Sequence, residues 1–298
     1  MQKLFLVCIS IFHLIFGGQE ITVLAPATPS SIPVIIAARH QDWKVKIFHN
    51  HSRAHSLFLN GKAEILITGL SVGKKFYEQN IPIKILNSYV SGLSYLVSSA
   101  DTINSFKELN SKTIYLPFKG SPLEEITRFF ATREKLNWGP DIQPKYAPFT
   151  SSVNMLLNNK INYAALPEPH VSKLIQTNSD IQVSLSYYDL WNYYTPEEDG
   201  YPQVAAFIKS DHQPNVSFLK NFNQALEKGI DFTQNYPDSS IDIAGSQFKF
   251  PSHILKASLT RTRFNLYSKN KLKKEIHSYY QILGKPLDET YQDFFLDY

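Results

Sequence analysis

The sequence has 298 residues, of which 43% are hydrophobic and 19% are charged, so it is long enough for two domains with separate cores. The formal net charge is only +4, and the charged residues are spread along the chain. This excludes the strongly basic surface of a nucleic-acid-binding protein, and we expect no nucleic-acid partner.

The N-terminal segment has the pattern of a secretion signal. Lys3 supplies a positive charge, residues 4–16 are apolar, and residues 17–19 offer small side chains for cleavage. The apolar run is too short to span a bilayer. We therefore predict a signal peptide at residues 1–18 and a mature protein exported to the periplasm. The single cysteine, Cys8, lies in this segment, which leaves the mature chain without disulfides or cysteine ligands for a metal.

The next part of the sequence alternates short apolar runs with helical patterns. Strands are predicted at residues 21–24, 43–48, 63–68, 83–88 and 93–98. Helices are predicted at residues 30–39, 55–60 and 71–79. Such alternation predicts parallel α/β layers rather than an all-α or all-β fold.

A polar segment at residues 100–112 leads into a second α/β series. Its predicted strands are residues 113–116, 143–147, 163–166 and 181–185, and its predicted helices are residues 123–136, 150–157 and 171–176. Residues 187–201, rich in Tyr, Trp and acidic side chains, are interpreted as a loop. Residues 204–209 are predicted to form a strand that returns to the first lobe, and the pattern from Val216 onward is mostly helical.

These patterns predict an α/β fold with two lobes joined by two crossing strands. The first lobe comprises residues 19–99 and 205–298, and the second comprises residues 100–204. Clefts between such lobes, at the carboxyl ends of strands, are common ligand sites. We therefore expect a ligand to bind between the lobes.

Two polar turns, each placed between a predicted strand and a predicted helix, are the main candidates for the ligand site. They are LAPATPSS at residues 24–31 and LPFKGSPL at residues 116–123. Unpaired backbone N–H groups and hydroxyls at such turns suit an anion or a polar group. The candidate residues are Thr28 and Ser30 in the first turn, and Lys119, Gly120 and Ser121 in the second. The alternative for the hydroxyls is helix capping, and Lys119 could equally face solvent.

Four further candidates follow predicted strands. Thr68 and Gly69 end a buried strand, where glycine permits a close backbone approach, and Ser91 precedes the first crossing. Glu168 lies between two prolines that stiffen the turn and fix the direction of its carboxylate. It is a candidate partner for a cationic ligand, and the alternative is a structural hydrogen bond at the hinge.

Aromatic residues of the predicted loop are candidates for a wall of the site. Trp191 and Tyr194 are assigned this role because rings at a cleft mouth stack on heterocycles or cations. The alternative is packing in the core or at the seam between the lobes.

The sequence offers little support for metal binding or catalysis. His51 and His55 are spaced to share a helix face, but no third ligand is spaced to complete a metal site. No nucleophile elbow, phosphate-binding loop or zinc motif occurs. We therefore expect no catalytic residue, no metal and no cofactor.

The order of these segments resembles that of one group of substrate-binding proteins from ABC transporters. The segments that carry the resemblance are LAPATPSSIPVIIAAR, LNGKAEILITG, IPIKILNSYVSGLSYLVSS, INSFKELNSKTIYLPFKGSPLEEITRFF and LLNNKINYAALPEPHVSKLI. Together they are similar to the nitrate/sulfonate/taurine and thiamine-precursor group, which has the type 2 periplasmic binding fold. The chain departs from that group at Asn162, where Gly-Asp is common, and at Glu64, where Asp is common.

The resemblance implies a binding protein that captures a small solute and delivers it to an ABC permease in the membrane, and it implies a monomer. The solute would be a thiamine-precursor-like heterocycle or a small oxyanion such as a sulfonate or nitrate. The alternatives are an extracytoplasmic sensor module or an enzyme on the same scaffold. A related enzyme, the yeast-type pyrimidine-precursor synthase, carries a cysteine-rich motif that this sequence lacks.

Overall fold

The computed structural model describes residues 21–211 and 214–296, and the predicted signal peptide lies outside the described residues. In chain order the strands are β1 (Ile21–Pro26), β2 (Trp43–Phe48), β3 (Ile65–Gly69), β4 (Ile83–Gly92), β5 (Ser94–Ser98), β6 (Lys112–Leu116), β7 (Ile142–Tyr146), β8 (Tyr163–Pro167), β9 (Gln182–Ser186), β10 (Val204–Lys209) and β11 (Arg263–Ser268). The α-helices are α1 (Ile32–Ala38), α2 (His51–Leu59), α3 (Leu70–Glu78), α4 (Pro122–Arg133), α5 (Phe149–Leu157), α6 (His170–Thr177), α7 (Tyr187–Tyr194), α8 (Val216–Asn235), α9 (Pro237–Ala244), α10 (Ser252–Thr260) and α11 (Lys269–Ile282). Within the two described ranges, no helix combines the length and the apolar character of a membrane span.

The first lobe is built on a six-stranded sheet with the order β11-β4-β10-β3-β1-β2. β1 pairs in parallel with β2 and β3, which its helical connections permit. Helices cover both faces of this sheet, so β1 is buried almost throughout. Val23 belongs to the apolar cluster that includes α1 and α8, whereas the next residue, Leu24, belongs to the cluster that includes Phe58 of α2.

The second lobe is built on a five-stranded sheet with the order β7-β6-β8-β5-β9. β6 pairs in parallel with β7 and β8, and β5 lies antiparallel between β8 and β9. Leu166 of β8 packs in a cluster with Val153 of α5 and Val171 of α6. Ala165, on the opposite face, belongs to the cluster that contains Phe130 of α4 and Tyr187 of α7. The two-lobed arrangement therefore follows from two separate sheets, each covered on both faces.

The chain crosses between the sheets twice. The first crossing is the single residue Leu93, because β4 ends at Gly92 in one sheet and β5 begins at Ser94 in the other. β5 therefore belongs to the second lobe. The lobe boundary predicted from the sequence, between residues 99 and 100, assigned this strand to the first lobe. The second crossing follows α7 and enters β10 at Val204.

The predicted loop at residues 187–201 is wrong for its first half, which forms α7. The Ser186 hydroxyl caps this helix by accepting the backbone N–H of Asp189 at 3.2 Å. Tyr187, Leu190 and Trp191 recur at helical spacing and are buried. The run of aromatic residues was interpreted as loop composition, although its periodicity is that of a helix with one buried face.

The sequence reading also missed β11 within the part that it described as mostly helical. This strand lies at the edge of the first sheet and pairs antiparallel with β4. Its residues RFNLYS mix polar and apolar side chains, and register shifts interrupt the pairing. The strand is therefore specified by its partner β4 more than by its own composition.

Candidate functional site

The first-lobe candidates lie at one edge of the six-stranded sheet. β1 and β3 are parallel neighbours that end at Pro26 and Gly69, and Val204 of β10 lies opposite both Gly69 and Val90 of β4. Thr28 follows the end of β1, Thr68 and Gly69 are the last residues of β3, and Ser91 is the penultimate residue of β4. All of them therefore lie at the carboxyl ends of strands, with Thr28, Thr68 and Gly69 on the neighbouring strands β1 and β3 and Ser91 farther along the same edge.

The second-lobe candidates lie at the corresponding edge of the five-stranded sheet. β6 and β8 run in parallel, and their carboxyl ends lead to Gly120–Ser121 and to Glu168. Ser94, the first residue of β5, lies opposite Pro167. Lys119, Gly120, Ser121 and Glu168 therefore share an edge that adjoins the first crossing.

Gln203 holds the two crossing segments together. Its side-chain oxygen accepts the Leu93 N–H at 3.2 Å, and its amide nitrogen donates to Ser94 Oγ at 2.5 Å. Its backbone N–H donates to Val90 O at 2.9 Å, and its carbonyl accepts the Leu70 N–H at 3.0 Å. One residue thereby connects both crossings to the start of α3.

The lobes also touch directly on either side of the hinge. Gly69 lies so close to α4 that a Cβ atom added to it would lie 3.0 Å from Cγ of Pro122. Glu168 of the second lobe lies 3.9 Å from Nε of Arg261, which follows α10 in the first lobe. The Tyr95 hydroxyl donates to the Arg261 carbonyl. The structure therefore represents an arrangement in which the two edges face each other at close range.

The first-lobe turn is held by its own hydroxyls. Thr28 Oγ1 and Ser30 Oγ lie 2.6 Å apart, and the Ser31 hydroxyl donates to Pro26 O at 2.5 Å. The buried Tyr89 hydroxyl donates to Ser30 O at 3.1 Å, and burial raises the pKa of Tyr89. Only one of the paired hydroxyls can donate to the other, so the pair retains one hydrogen for a further acceptor.

Two histidines that were considered only as metal ligands lie at the first-lobe edge. His55 Nε2 and Thr68 Oγ1 are 3.4 Å apart, and the His51 and His55 rings are 6.0 Å apart. Burial lowers the pKa of His55 to about 4, with a smaller contribution from His51, so His55 is neutral near pH 7. Their spacing in α2 was visible in the sequence, but their contact with Thr68 was not. Among the described residues, no group of His, Asp or Glu suits a metal ion.

The polar groups of the second-lobe turn are engaged by Glu124 of α4. The Gly120 N–H donates to the Glu124 carboxylate, and the Ser121 hydroxyl accepts the Glu124 N–H at 3.1 Å. Ser121 is buried and is the N-cap of α4, whereas Lys119 is exposed. Gly120 has a φ of +76°, a conformation that glycine adopts without strain. The helix-capping alternative for Ser121 is therefore realised in this structure.

Glu168 is fully buried and lies between β8 and α6, and the Glu168–Pro169 peptide bond that follows it is cis. Its carboxylate accepts the N–H of Ser172 at 3.1 Å and the hydroxyl of Ser172 at 3.0 Å. Its backbone N–H donates to Leu93 O at 2.8 Å. Burial raises the pKa of Glu168 to about 7, although the Ser172 hydrogen bonds and Arg261 oppose this rise. The carboxylate is therefore held by α6, and the hinge contact at Leu93 is made by the backbone N–H of Glu168.

Trp191 and Tyr194 do not lie with the polar candidates. Trp191 is 1% exposed, and its ring centroid lies 5.2 Å from that of Phe129 and 5.3 Å from that of Tyr279. The Tyr194 hydroxyl donates to Glu134, just beyond the C-terminal end of α4. At 1.5 Å per helical residue, Glu134 lies about 20 Å along α4 from Ser121. The packing at the seam between the lobes, which was the alternative for Trp191, is the arrangement observed.

Ser91 lies on another side of the hinge. Its carbonyl accepts the Tyr201 N–H at 3.2 Å, and a Cβ atom on Gly200 would lie 2.4 Å from the same oxygen. Ser91 also lines a pocket of about 310 Å³ with Tyr188, Asp199 and Arg263. Its position therefore depends on a glycine with a φ of +74° in the second crossing.

Comparisons with known proteins identify the fold. No protein-family model matches the sequence, and a search of curated proteins found no match. An ABC transporter structure from Parabacteroides distasonis is 18% identical, covers 94% of this chain and 99% of its own, and has a TM-score of 0.76. The chain has the periplasmic-binding-protein fold. This confirms the predicted two-lobed α/β architecture.

Two further structures with this fold are named for the solutes that they bind. The periplasmic aliphatic sulphonate binding protein SsuA from Escherichia coli is 14% identical, with 90% of this chain and 86% of that chain covered and a TM-score of 0.73. The periplasmic nitrate-binding protein NrtA from Synechocystis PCC 6803 is 13% identical, with 85% and 74% covered and a TM-score of 0.62. At these identities the similarity concerns the periplasmic-binding-protein fold alone.

Proposed function

We propose that the protein is the exported solute-binding component of an ABC importer and that it captures a small polar solute between its two lobes. One observation carries this proposal. The polar edges of the two sheets face each other, and Gln203 joins the two crossing segments between them. Lobe closure around a solute excludes water and strengthens polar contacts from both sides. A membrane permease would receive the solute from the closed form.

In the proposed site, Thr28, Ser30, Thr68 and Gly69 form the wall of the first lobe. Lys119, Gly120 and Ser121 form the wall of the second lobe, and Ser91 and Glu168 lie at the hinge. His55 joins the first wall through its contact with Thr68. The site therefore combines hydroxyl groups from the first lobe with a capped helix start from the second.

Two classes of solute agree with this proposal. A small oxyanion such as nitrate or a sulfonate needs hydroxyl and N–H donors, whereas a thiamine-precursor-like heterocycle also needs an aromatic wall. Trp191 is buried and Tyr194 lies beyond the far end of α4, so neither ring supplies that wall in this arrangement. His55 and Phe76, whose ring centroids are 5.2 Å apart, are the aromatic groups that we propose in their place.

A thermal-shift screen of the protein without residues 1–18 tests the proposal. A solute present at 100 times its dissociation constant stabilises the folded state by about 2.7 kcal/mol. Thr68→Val removes a hydroxyl of the proposed site at constant size and is expected to reduce this stabilisation. Thr177→Val, on the exposed end of α6, is the matched control and is expected to leave it unchanged.

Three outcomes contradict the proposal. Chemical turnover of a stabilising solute indicates an enzyme rather than a binding protein. Equal stabilisation of the wild type and Thr68→Val places the solute elsewhere on the molecule. Unchanged uptake of that solute by cells lacking the protein contradicts the role in import.

A further inference from the structure

A groove of about 1040 Å³ lies at the seam between the lobes, between α3 of the first lobe and α4 of the second. The two helices are in contact where they begin, because Gly69 is the N-cap of α3 and Pro122 is the first residue of α4. The turn that follows α11, at residues 283–285, completes the lining. The groove meets the second-lobe turn at Gly120, but no residue proposed for the first-lobe wall lines it. It is therefore a cavity beside the proposed solute site rather than the site itself.

Each of the two helices contributes one face to this groove. The lining residues of α3 recur at intervals of three and four, which places them on one side of the helix. They are Ser71, Lys74, Lys75 and Glu78. The lining residues of α4 have the same spacing and are Glu124, Glu125, Arg128, Phe129, Thr132 and Arg133. The groove therefore follows α4 for about 14 Å, at 1.5 Å per helical residue, and the turns at both ends of α4 extend it further.

Basic side chains dominate the lining, and we call this cavity the basic groove. Seven lysine and arginine side chains and three glutamate side chains line it, so its net charge is +4. They are Lys74, Lys75, Lys119, Arg128, Arg133, Lys135 and Lys285, with Glu78, Glu124 and Glu125. The whole chain has the same formal net charge of +4, so the charges of all other residues sum to zero. The fold thus collects the excess positive charge of the chain in one concave place, where it attracts anions.

The glutamates of the basic groove are already engaged within the protein. Glu78 pairs with Lys74, and Glu125 pairs with Lys285 at 2.9 Å. Glu124 accepts hydrogen bonds from its own lobe. Four of the cations have no ion pair among the described residues, and they are Lys75, Lys119, Arg133 and Lys135. All four are exposed, so they are available to an anion that enters the groove.

The length of the basic groove favours an extended chain over a small anion. Its cations are distributed along the whole of α4, so a single oxyanion would contact only part of them. An extended polypeptide rises about 3.3 Å per residue, and about five residues therefore cover the length of the groove. The side chains of such a segment point alternately to opposite sides, toward α3 and toward α4. A flat membrane surface, in contrast, does not enter a groove between two helices.

We propose that the basic groove docks an extended acidic segment of a partner protein and that this segment bridges the two lobes. Its carboxylates pair with Lys75 on the first-lobe side and with Arg133 on the second-lobe side. The Ser71 hydroxyl is buried and has no hydrogen-bond partner among the described residues, and a carboxylate seated between the helices supplies the missing acceptor. Closure brings like charges of the two lobes together, so an acidic segment between them favours the closed arrangement. This inference goes beyond the proposed function and requires no solute.

Hexaglutamate, a peptide of suitable length and charge, tests the inference. We expect wild-type protein to bind labelled hexaglutamate at least tenfold more tightly than labelled hexaglutamine, measured by fluorescence anisotropy. The affinity for hexaglutamate is expected to fall when sodium chloride is raised from about 50 to about 300 mM, because salt screens exposed charges. Lys75→Glu and Arg133→Glu, one in each lobe, are each expected to weaken hexaglutamate binding at least fivefold.

Lys220→Glu and Lys228→Glu on α8 are the matched controls. Both lysines are exposed, and α8 covers the face of the first sheet opposite to the face that α3 covers. Each control changes the net charge by the same amount as a groove variant and is expected to leave the hexaglutamate affinity unchanged. Lys75→Gln combined with Arg133→Gln removes both cations without reversing their charge, so the inference stays testable if a reversed variant fails to fold.

Equal binding of hexaglutamate and hexaglutamine by the wild type overturns the inference. An undiminished affinity in either single groove variant overturns it as well, because the segment then does not bridge the lobes, and so does an undiminished affinity in the folded double variant. Citrate or anionic vesicles that displace the labelled peptide as effectively as unlabelled hexaglutamate would assign the groove to a small anion or to a membrane surface instead. Failure of the solute screen leaves this inference standing, and failure of hexaglutamate to bind leaves the proposed function standing.

Discussion

Gly69 of the first lobe and Pro122 of the second are in contact, and a side chain at residue 69 would press against Pro122. A Cβ atom on Gly69 would lie 3.0 Å from Cγ of Pro122 and 3.7 Å from its Cβ. The φ of Gly69 is −63°, a value that any residue adopts. The preference for glycine therefore comes from the neighbouring lobe rather than from the local backbone.

This contact predicts that Gly69→Ala weakens solute binding more than it weakens folding. Overpacking costs about 1–3 kcal/mol, and the lobes can relieve it by separating. We therefore expect a loss of affinity of about tenfold, or 1.4 kcal/mol, by calorimetric titration, with little change in the melting temperature of the free protein. Pro122→Ala in the same chain removes Cγ and is expected to restore affinity. Equal losses in the single and double variants would contradict this explanation.

The buried carboxyl of Glu168 predicts that stability falls as pH rises. Burial raises its pKa from 4.5 to about 7, so between these values the native protein binds a proton that the unfolded chain has released. The stabilisation is complete below pH 4.5 and is lost as pH rises through 7, and it amounts to about 3 kcal/mol. Glu168→Gln is expected to remove this decline in urea unfolding between pH 5 and 8. The exposed Glu227→Gln variant is the control, and an unchanged slope in Glu168→Gln would refute the assignment.

His170, which lies at the contact between the two lobes, predicts the opposite dependence of stability on pH. Its ring lies 5.5 Å from that of Phe149 and 5.7 Å from that of Phe250 in the first lobe. Burial lowers the pKa of His170 from 6.5 to about 4, and Lys173 makes a smaller contribution. Between these two values the unfolded chain binds a proton at His170 and the native protein does not. Stability is then lost, by about 3 kcal/mol, as pH falls from 6.5 to 4.

His170→Gln is expected to reduce this acid destabilisation, measured by urea unfolding at pH 4 to 7. His253→Gln, at an exposed position in α10, serves as the control. If both variants lose stability with the same slope as the wild type, His170 does not titrate in this range. The two windows overlap, so the opposite slopes of Glu168 and His170 largely cancel between pH 4.5 and 6.5, and each single variant exposes the slope of the other group.

Trp191 is expected to act on stability rather than on binding. Its ring packs against Phe129, Tyr201 and Tyr279, and its Nε1 has no hydrogen-bond partner within the described residues. Trp191→Ala is expected to lower the free energy of unfolding by about 3–5 kcal/mol. Tyr193→Ala, in the same helix but 79% exposed, is expected to change it by less than about 0.5 kcal/mol. Trp191→Ala with unchanged stability and lost solute affinity would instead assign the ring to the site.

Some elements of this fold are specified by their local sequence, and others depend on partners that are distant in the chain. Strands such as β2 and β3 were predictable because an apolar run or a period of two specifies a strand locally. The strand β11 and the helix α7 were not, because the first needs β4 as its partner and the second was hidden by its aromatic composition. The first crossing was expected just after Ser91, as observed, but the lobe boundary was drawn at residues 99 and 100, because a continuous apolar sequence does not mark a change of sheet.

The sequence by itself determined the α/β class, the two-lobed order and the two polar turns, since these depend on periodicity and on turn residues close together in the chain. Only the tertiary structure decided which groups those turns leave available. The Tyr89 hydroxyl donates to Ser30 O, Gln203 donates to Ser94, Arg261 lies beside Glu168, and Thr68 meets His55. The residue type in the sequence does not show whether a hydroxyl or carboxylate is hydrogen-bonded within the protein or is available to a ligand. Its partners are set by the packing of elements distant in the chain, and they become known when the lobes are assembled.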